Sequence, residues 1–137
     1  MKVAISSGLV ERIVALAAKE PTREVCGLLL GQGDRIDGIL PASNVAGNPS
    51  RSFEVDPTVH FEAIRAARAG APAVIGCYHS HPSGNAVPSA TDAAMIGHIG
   101  EYWLICDGRD VRAWLADTTR TFVEVTLVPQ PSACVTS

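Results

Sequence analysis

Two histidines and an aspartate are the residues of this 137-residue chain whose types and spacing best suit metal chemistry. His79 and His81 follow an apolar run, and Asp92 comes eleven residues after the second histidine. Side chains alternate along a strand, so the two imidazoles are expected on one face. Two neutral imidazoles and a carboxylate form a ligand set of catalytic zinc sites, which keep one coordination position free. The spacing therefore predicts one Zn²⁺ per chain, bound by His79, His81 and Asp92.

A hydrolytic zinc site also needs an acid or base that does not bind the metal. Glu24 stands directly before the apolar run from Val25 to Leu30. If that run forms a strand beside the His79 strand, the Glu24 carboxylate reaches the site and can act as general base. Ser89, three residues before Asp92, can direct its hydroxyl at the developing oxyanion. The predicted catalytic residues are thus Glu24 and Ser89.

Each of these residues also has an ordinary interpretation. Ser89 suits the N-cap of a short helix, and Asp92 suits the acidic position in its first turn. Glu24 can be a solvated residue before a strand. A pair of histidines at this spacing is more often coincidence than a ligand pair. The ordinary interpretations weaken because all of these positions occur together.

Composition excludes several classes of function. The chain has a net charge of −3 and no run of Lys or Arg, so no nucleic acid is expected as a partner. No apolar stretch approaches the ~20 residues of a membrane span, so no membrane is expected either. Residues 1–9 lack the features of a secretory signal, which predicts a cytoplasmic protein.

The predicted elements define a mixed α/β domain that positions the candidate residues. A sheet of about six strands is expected, flanked by two longer helices and one short helix. His79 follows the predicted strand from Ala73 to Tyr78, and Ser89 opens the short helix that contains Asp92. The other predicted helices follow Ser7 and Asp56. The other predicted strands cover 25–30, 35–40, 102–106, 111–115 and 121–128, and a short strand at 53–55 is left open.

The sequence resembles the JAMM metalloprotease family, also called the catalytic MPN domain. That family's motif is a Glu, a long gap, His-Ser/Thr-His, seven residues, Ser, two residues and Asp. Here His79-Ser80-His81 is followed by seven residues and then by Ser89-Ala90-Thr91-Asp92. The run from Glu24 to Gly31 resembles the family's first core strand with its catalytic Glu. The resemblance extends roughly from Ser7 to Val128.

The resemblance implies a fold, a set of roles and a substrate class. The fold is a curved mixed sheet flanked by helices, the JAMM/MPN (cytidine-deaminase-like) fold, expected here as a domain over 1–128 with a flexible tail over 129–137. The implied roles are zinc ligation by His79, His81 and Asp92, acid–base catalysis by Glu24 and assistance from Ser89. Members hydrolyse the bond after the C-terminal Gly-Gly of ubiquitin or ubiquitin-like proteins. The chain has little room for the insertions of eukaryotic deubiquitinases and looks more like compact prokaryotic members.

Some compact members release an amino acid such as cysteine from a sulfur-carrier protein of ubiquitin-like fold. A ubiquitin-like or sulfur-carrier protein with a Gly-Gly terminus is therefore the expected partner, and a homodimer is one assembly that the sequence allows. A non-catalytic MPN scaffold is the alternative function, although a scaffold does not need a complete ligand set. A DNA-associated relative with the same motif is a third interpretation, which the lack of a basic face disfavours.

Overall fold

A computed structural model describes residues 1–131, which fold into seven strands and three helices. The number of helices, two longer and one short, agrees with the prediction. In chain order the elements are β1 (Lys2–Ser6), α1 (Leu9–Ala18), β2 (Cys26–Gln32), β3 (Arg35–Ala42), α2 (Pro57–Arg68), β4 (Ala73–Ser80), α3 (Ala90–Ala94), β5 (Tyr102–Cys106), β6 (Val111–Ala116) and β7 (Phe122–Gln130).

The strands form one mixed sheet that closes into a barrel in the order β1-β3-β2-β4-β5-β6-β7. β4 and β5 are parallel, β2 is antiparallel to both β3 and β4, and the β5-β6-β7 segment is an antiparallel meander. β1 closes the barrel by pairing in parallel with β7 on one side and with β3 on the other. The mixed sheet was predicted, but its closure was not.

The prediction of about six strands was wrong, because the N-terminal strand β1 was missed. Val3 and Ile5 alternate with more exposed neighbours and are fully buried, which is the two-residue period of a strand. The segment at 53–55, where a short strand was left open, contributes only a single bridge, between Asn44 and Val55. The seventh strand of the sheet is therefore β1 and not the 53–55 segment.

Local sequence explains where the two longer helices begin. Asp56 is the N-cap of α2, and its side chain accepts a hydrogen bond from the Thr58 backbone N–H while Pro57 fills the first turn. α1 instead starts after Gly8, whose φ of 92° few other residues adopt, with no side-chain cap. Ile13 and Ala17 of α1 are buried in one core cluster together with residues from all seven strands.

The pairing of β2 with β4 places the candidate residues near one another. Cys26 lies opposite His79 in this antiparallel pair, so the residues just before Cys26 and just after His79 lie at the same end of the barrel. The Val25 N–H donates to Ser80 Oγ and the Ser80 N–H donates to the Val25 carbonyl, which joins the strand ends. The sequence-based condition that the Glu24 strand neighbours the His79 strand is met.

The C-terminal part of the chain extends the last strand. β7 continues to Gln130, two residues beyond the predicted domain boundary at 128, and the rest of the predicted tail lies outside the described residues. The division into a domain and a tail therefore stays a prediction. Among residues 1–131, no helix has the length and apolarity needed to cross a membrane.

Candidate metal centre

The structure brings Glu24, His79, His81 and Asp92 together, although three segments of the chain supply them. One potential ligand atom from each residue lies within 4.8 Å of the other three, and all four residues are buried. β4 supplies His79, its continuation supplies His81, and α3 supplies Asp92. Glu24 stands two residues before β2. This buried cluster is the candidate metal centre.

Three atoms of the cluster form a nearly equilateral triangle. His79 Nε2 is 3.0 Å from His81 Nε2 and 3.1 Å from Asp92 Oδ2, and His81 Nε2 is 3.0 Å from that oxygen. Hydrogen bonds cannot form along all three sides of this triangle at once, because each ring nitrogen is either a donor or an acceptor. If both nitrogens donate to Asp92, two N–H groups face each other. If one is unprotonated, its lone pair faces the carboxylate.

A bound cation removes this conflict, because all three atoms can give it an electron pair. Ligands about 2.0–2.1 Å from a tetrahedral zinc stand about 3.3 Å apart, close to the 3.0–3.1 Å observed. The donor set of two imidazoles and one carboxylate is also one that zinc accepts. The residues present therefore fit a zinc-type ion.

Asp92 is oriented by a capping box at the start of α3. The Ser89 hydroxyl accepts a hydrogen bond from the Asp92 N–H at 3.0 Å, and Asp92 Oδ2 accepts from the Ser89 N–H at 3.0 Å. Burial raises the pKa of Asp92, but its contacts with His79 and His81 outweigh burial and hold the pKa well below its usual range. The cap thus keeps an ionised carboxylate aimed at the two histidines.

Ser89 has the N-cap role that was its ordinary interpretation. Its Oγ uses a lone pair to accept from Asp92, and this leaves the hydroxyl proton available to donate. Ser89 also lines the cleft beside Glu24 and His81. Capping and a direct role in the cleft are therefore compatible.

Glu24 is the least paired acidic group of the cluster. It is 5% exposed, and its Oε1 atom has no hydrogen-bond partner among residues 1–131. Burial raises the pKa of Glu24 to about 7. The charge of His81 lowers this pKa, and the charge of Asp92 raises it. A carboxyl group with this pKa can both take and give a proton near neutrality. A dication in the cluster would lower this pKa.

The two histidines are fixed by different neighbours. His81 Nδ1 lies 2.8 Å from the Asn85 carbonyl, which makes Nδ1 the protonated nitrogen and turns the Nε2 lone pair of the neutral ring toward the cluster. Phe53 stacks on His79 with ring centroids 4.2 Å apart. Burial lowers the pKa of His79. Burial also lowers that of His81, but Asp92 and Asn85 raise it above its usual value overall.

Sequence reasoning missed three residues that shape this site. Asn44 donates to the Glu24 and Ser52 carbonyls at 2.9 and 3.0 Å and accepts from two backbone N–H groups. Phe53 covers one face of His79, and Ser80 joins β4 to the residue after Glu24. Asn44 lies outside every predicted element, and Phe53 begins the 53–55 segment for which only a short strand was considered. The alternation of His79, Ser80 and His81 was the signal that Ser80 points away from the histidines.

The comparison with known families gives this site its class. The family model described as prokaryotic homologues of the JAB domain matches residues 6–117, which include every residue of the cluster. The chain therefore belongs to this stand-alone prokaryotic family of JAMM/MPN domains. A solved structure of a JAB1/MPN domain protein from Archaeoglobus fulgidus superposes with a TM-score of 0.61 at 25% identity, covering 92% of this chain and 99% of that one. It confirms the JAMM/MPN fold.

Several curated relatives carry enzyme names, including a desampylase and a peptidase. The desampylase of Haloferax volcanii is 38% identical over 109 residues, 76% of this chain and 78% of its own. The CysO-cysteine peptidase of Mycobacterium tuberculosis is 28% identical over 108 residues, 77% of this chain and 73% of its own. Together with the family, these relatives identify the chain as an enzyme of the JAMM type.

Proposed function

We propose that this chain is a zinc-dependent peptidase that hydrolyses the amide bond after the C-terminal Gly-Gly of a ubiquitin-like or sulfur-carrier protein. Release of cysteine from a carrier adduct is one such reaction. The observation that carries the proposal is the triangle of His79, His81 and Asp92, which protons alone cannot satisfy, with the partnerless Glu24 carboxylate beside it.

The proposed roles follow from the contacts of each residue. His79, His81 and Asp92 would hold one zinc ion per chain. When bound, zinc supplies a Lewis acid that activates water and polarises the scissile carbonyl. Glu24 takes a proton from the attacking water and gives it to the leaving nitrogen, so that the C–N bond breaks to an acid and an amine. The free Ser89 hydroxyl proton donates to the carbonyl oxygen as negative charge develops there.

The site opens into two clefts that share Glu24. One, of about 410 Å³, is lined by Glu24, His81, Ser89 and residues of the 50–51 and 82–88 segments. The other, of about 370 Å³, runs from Glu24 along the end of β3 at residues 41–44. Two clefts meeting at the general base suit a substrate with a chain on each side of the bond to be cut.

The second cleft suits an extended tail. β2 pairs with β3 along its whole length, but β1 pairs with β3 only at Arg35 and Ile36. The outer side of β3 from Gly38 onward thus has no strand partner among residues 1–131. A peptide could add there as a strand, and a Gly-Gly end, lacking side chains, could pass between the walls of the cleft to the metal.

The relatives with enzyme names disfavour the non-catalytic scaffold that the sequence left as the alternative function. A scaffold gains nothing from a buried carboxylate without a partner, which costs about 1–3 kcal/mol, more for a charged group. The two functions differ in metal content and in turnover.

The homodimer stays a prediction, which light scattering on the purified protein would test.

The decisive experiment is mass spectrometry of carrier adducts incubated with the zinc-loaded protein. The panel contains ubiquitin-like carriers that end in Gly-Gly, each joined to an amino acid or to a lysine side chain. We expect release of the intact Gly-Gly terminus, and no release by the protein after chelation of its zinc. If the zinc-loaded protein leaves every such adduct uncut, the proposed function is wrong.

A further inference from the structure

The cleft of about 410 Å³ beside the cluster contains one basic side chain that the proposed chemistry does not use. Arg51 is the only Lys or Arg among the residues that line this cleft. Within residues 1–131 its side chain has no hydrogen bond and no ion pair, including none with Glu24. A guanidinium in this position is available to a ligand.

The loop that bears Arg51 is tied to the backbone of Glu24 on both sides. The Glu24 N–H donates to the Pro49 carbonyl at 2.7 Å, two residues before Arg51. The Asn44 side-chain amide donates to the Ser52 carbonyl, one residue after Arg51, and to the Glu24 carbonyl. These bonds fix the backbone on both sides of Arg51 relative to Glu24, the residue proposed to protonate the leaving nitrogen.

This arrangement matters for the leaving group. When a free amino acid leaves, its α-carboxylate is separated from the leaving nitrogen by a single carbon atom. The negative charge then departs next to Glu24, where it needs a counter-charge. A guanidinium can bind a carboxylate with two parallel hydrogen bonds. A lysine side chain that leaves from an isopeptide bond brings no carboxylate to this place.

We propose that Arg51 is a specificity-determining residue, which binds the α-carboxylate of the leaving amino acid and favours carrier–amino acid adducts over isopeptide conjugates. The inference rests on the proposed function. It concerns the chemistry of the leaving group, for which the family resemblance allows more than one class.

The test compares matched substrates and variants of the zinc-loaded protein. One carrier is joined through its Gly-Gly terminus to an amino acid as the free acid, to the same amino acid as its primary amide, and to a lysine side chain next to an aspartate. The variants are Arg51→Ala, Arg51→Lys and, as the matched control, Arg120→Ala. Arg120 is an exposed arginine in the β6–β7 turn, away from the cleft.

For the wild-type protein we expect kcat/KM on the free acid to exceed that on the amide by about tenfold or more, in line with a charge-assisted hydrogen bond. In the Arg51→Ala variant, kcat/KM on the free acid should fall by about tenfold, and kcat/KM on the amide should stay within about twofold of wild type. Arg51→Lys should retain part of the preference, since it keeps the charge without the planar fork. Arg120→Ala should match wild type on all three.

Two results would overturn this inference alone, both with a wild-type protein that cuts the adducts. In the first, Arg51→Ala slows cleavage of the free-acid adduct and of the amide adduct equally, or slows neither. In the second, the loss is confined to the lysine conjugate, which would assign the guanidinium to an acidic side chain of the target. If the wild-type protein cuts none of the three, the proposed function itself fails.

Discussion

At the scale of single residues, the cluster divides into the three proposed metal ligands and the carboxyl group proposed to move protons. His79, His81 and Asp92 contact one another directly, whereas Glu24 lies nearby without a hydrogen bond to any of them. Burial raises its pKa to about 7, and a dication bound beside it would lower that value. The two kinds of residue should therefore fail in different ways when they are replaced.

Glu24→Gln should keep the metal and lose the reaction. The amide has the same shape but cannot take a proton from water, so kcat should fall by about 10²–10⁴-fold. Zinc content by elemental analysis should equal that of wild type, because Glu24 is not one of the three proposed ligands. Glu11→Gln, which changes an exposed carboxylate of α1 outside both clefts, should behave as wild type. Full turnover by the Glu24→Gln variant would reject the role assigned to Glu24.

His81→Ala should lose the metal itself. The substitution removes one corner of the triangle and leaves Asp92 Oδ2 with a single histidine contact. We expect a zinc content far below one per chain after dialysis, and loss of turnover with it. His98→Ala is the control, because His98 is 77% exposed and lies outside the cluster. Unchanged zinc content in the His81→Ala variant would remove this residue from the ligand set.

At the scale of elements, the site depends on how closely β4 approaches its neighbours. Gly76 lies opposite Tyr102 in the parallel β4–β5 pair, and a Cβ at this position would stand only 1.8 Å from the Tyr102 carbonyl oxygen. A Cβ on Gly27 of β2 would meet the Tyr78 ring of β4 at 2.4 Å. The strand that supplies His79 is thus packed from both sides without space for an extra methyl group.

Gly76→Ala should therefore destabilise the fold and disturb the site. Overpacking of this kind costs about 1–3 kcal/mol and more where backbone has to move, as it does here. Urea unfolding measures the loss, and zinc content reports the shift of His79 three residues away. Gly38→Ala is the matched control in β3, where the nearest atom to the new Cβ is 4.0 Å away. Equal stability of the two variants would show that β4 and β5 are not held this close.

The sequence predicts the elements that have a strong local signal and misses those defined by distant partners. The Asp56-Pro57 start of α2 and the Ser89 start of α3 follow from capping chemistry within four residues. β1 has the alternation of a strand, but its partners β3 and β7 lie some 30 and 120 residues further along the chain. The loop residue Asn44 could not be singled out, because its four hydrogen bonds depend on where Glu24 and residues 46–54 lie in space.

At the scale of the whole molecule, barrel closure gathers the site from remote parts of the sequence. Glu24 precedes β2, the histidines end β4, and Asp92 follows a loop of turns, yet all reach one end of the barrel. The motif could be recognised from its spacing because the histidines and Asp92 are near in sequence. The distance from Glu24 to the two histidines depends on the β2–β4 pairing, which local patterns do not specify.

Because the cluster exists only in the folded chain, binding of zinc should stabilise the whole molecule. At a free zinc concentration 100 times Kd, linkage predicts about 2.7 kcal/mol of added stability. For a domain of this size that raises Tm by about 10 °C. Thermal unfolding of wild type, first with excess chelator and then with zinc restored, measures the shift. His81→Ala should show almost none, since it lacks a corner of the triangle. A wild-type Tm that is indifferent to zinc would mean that the buried triangle does not hold the ion.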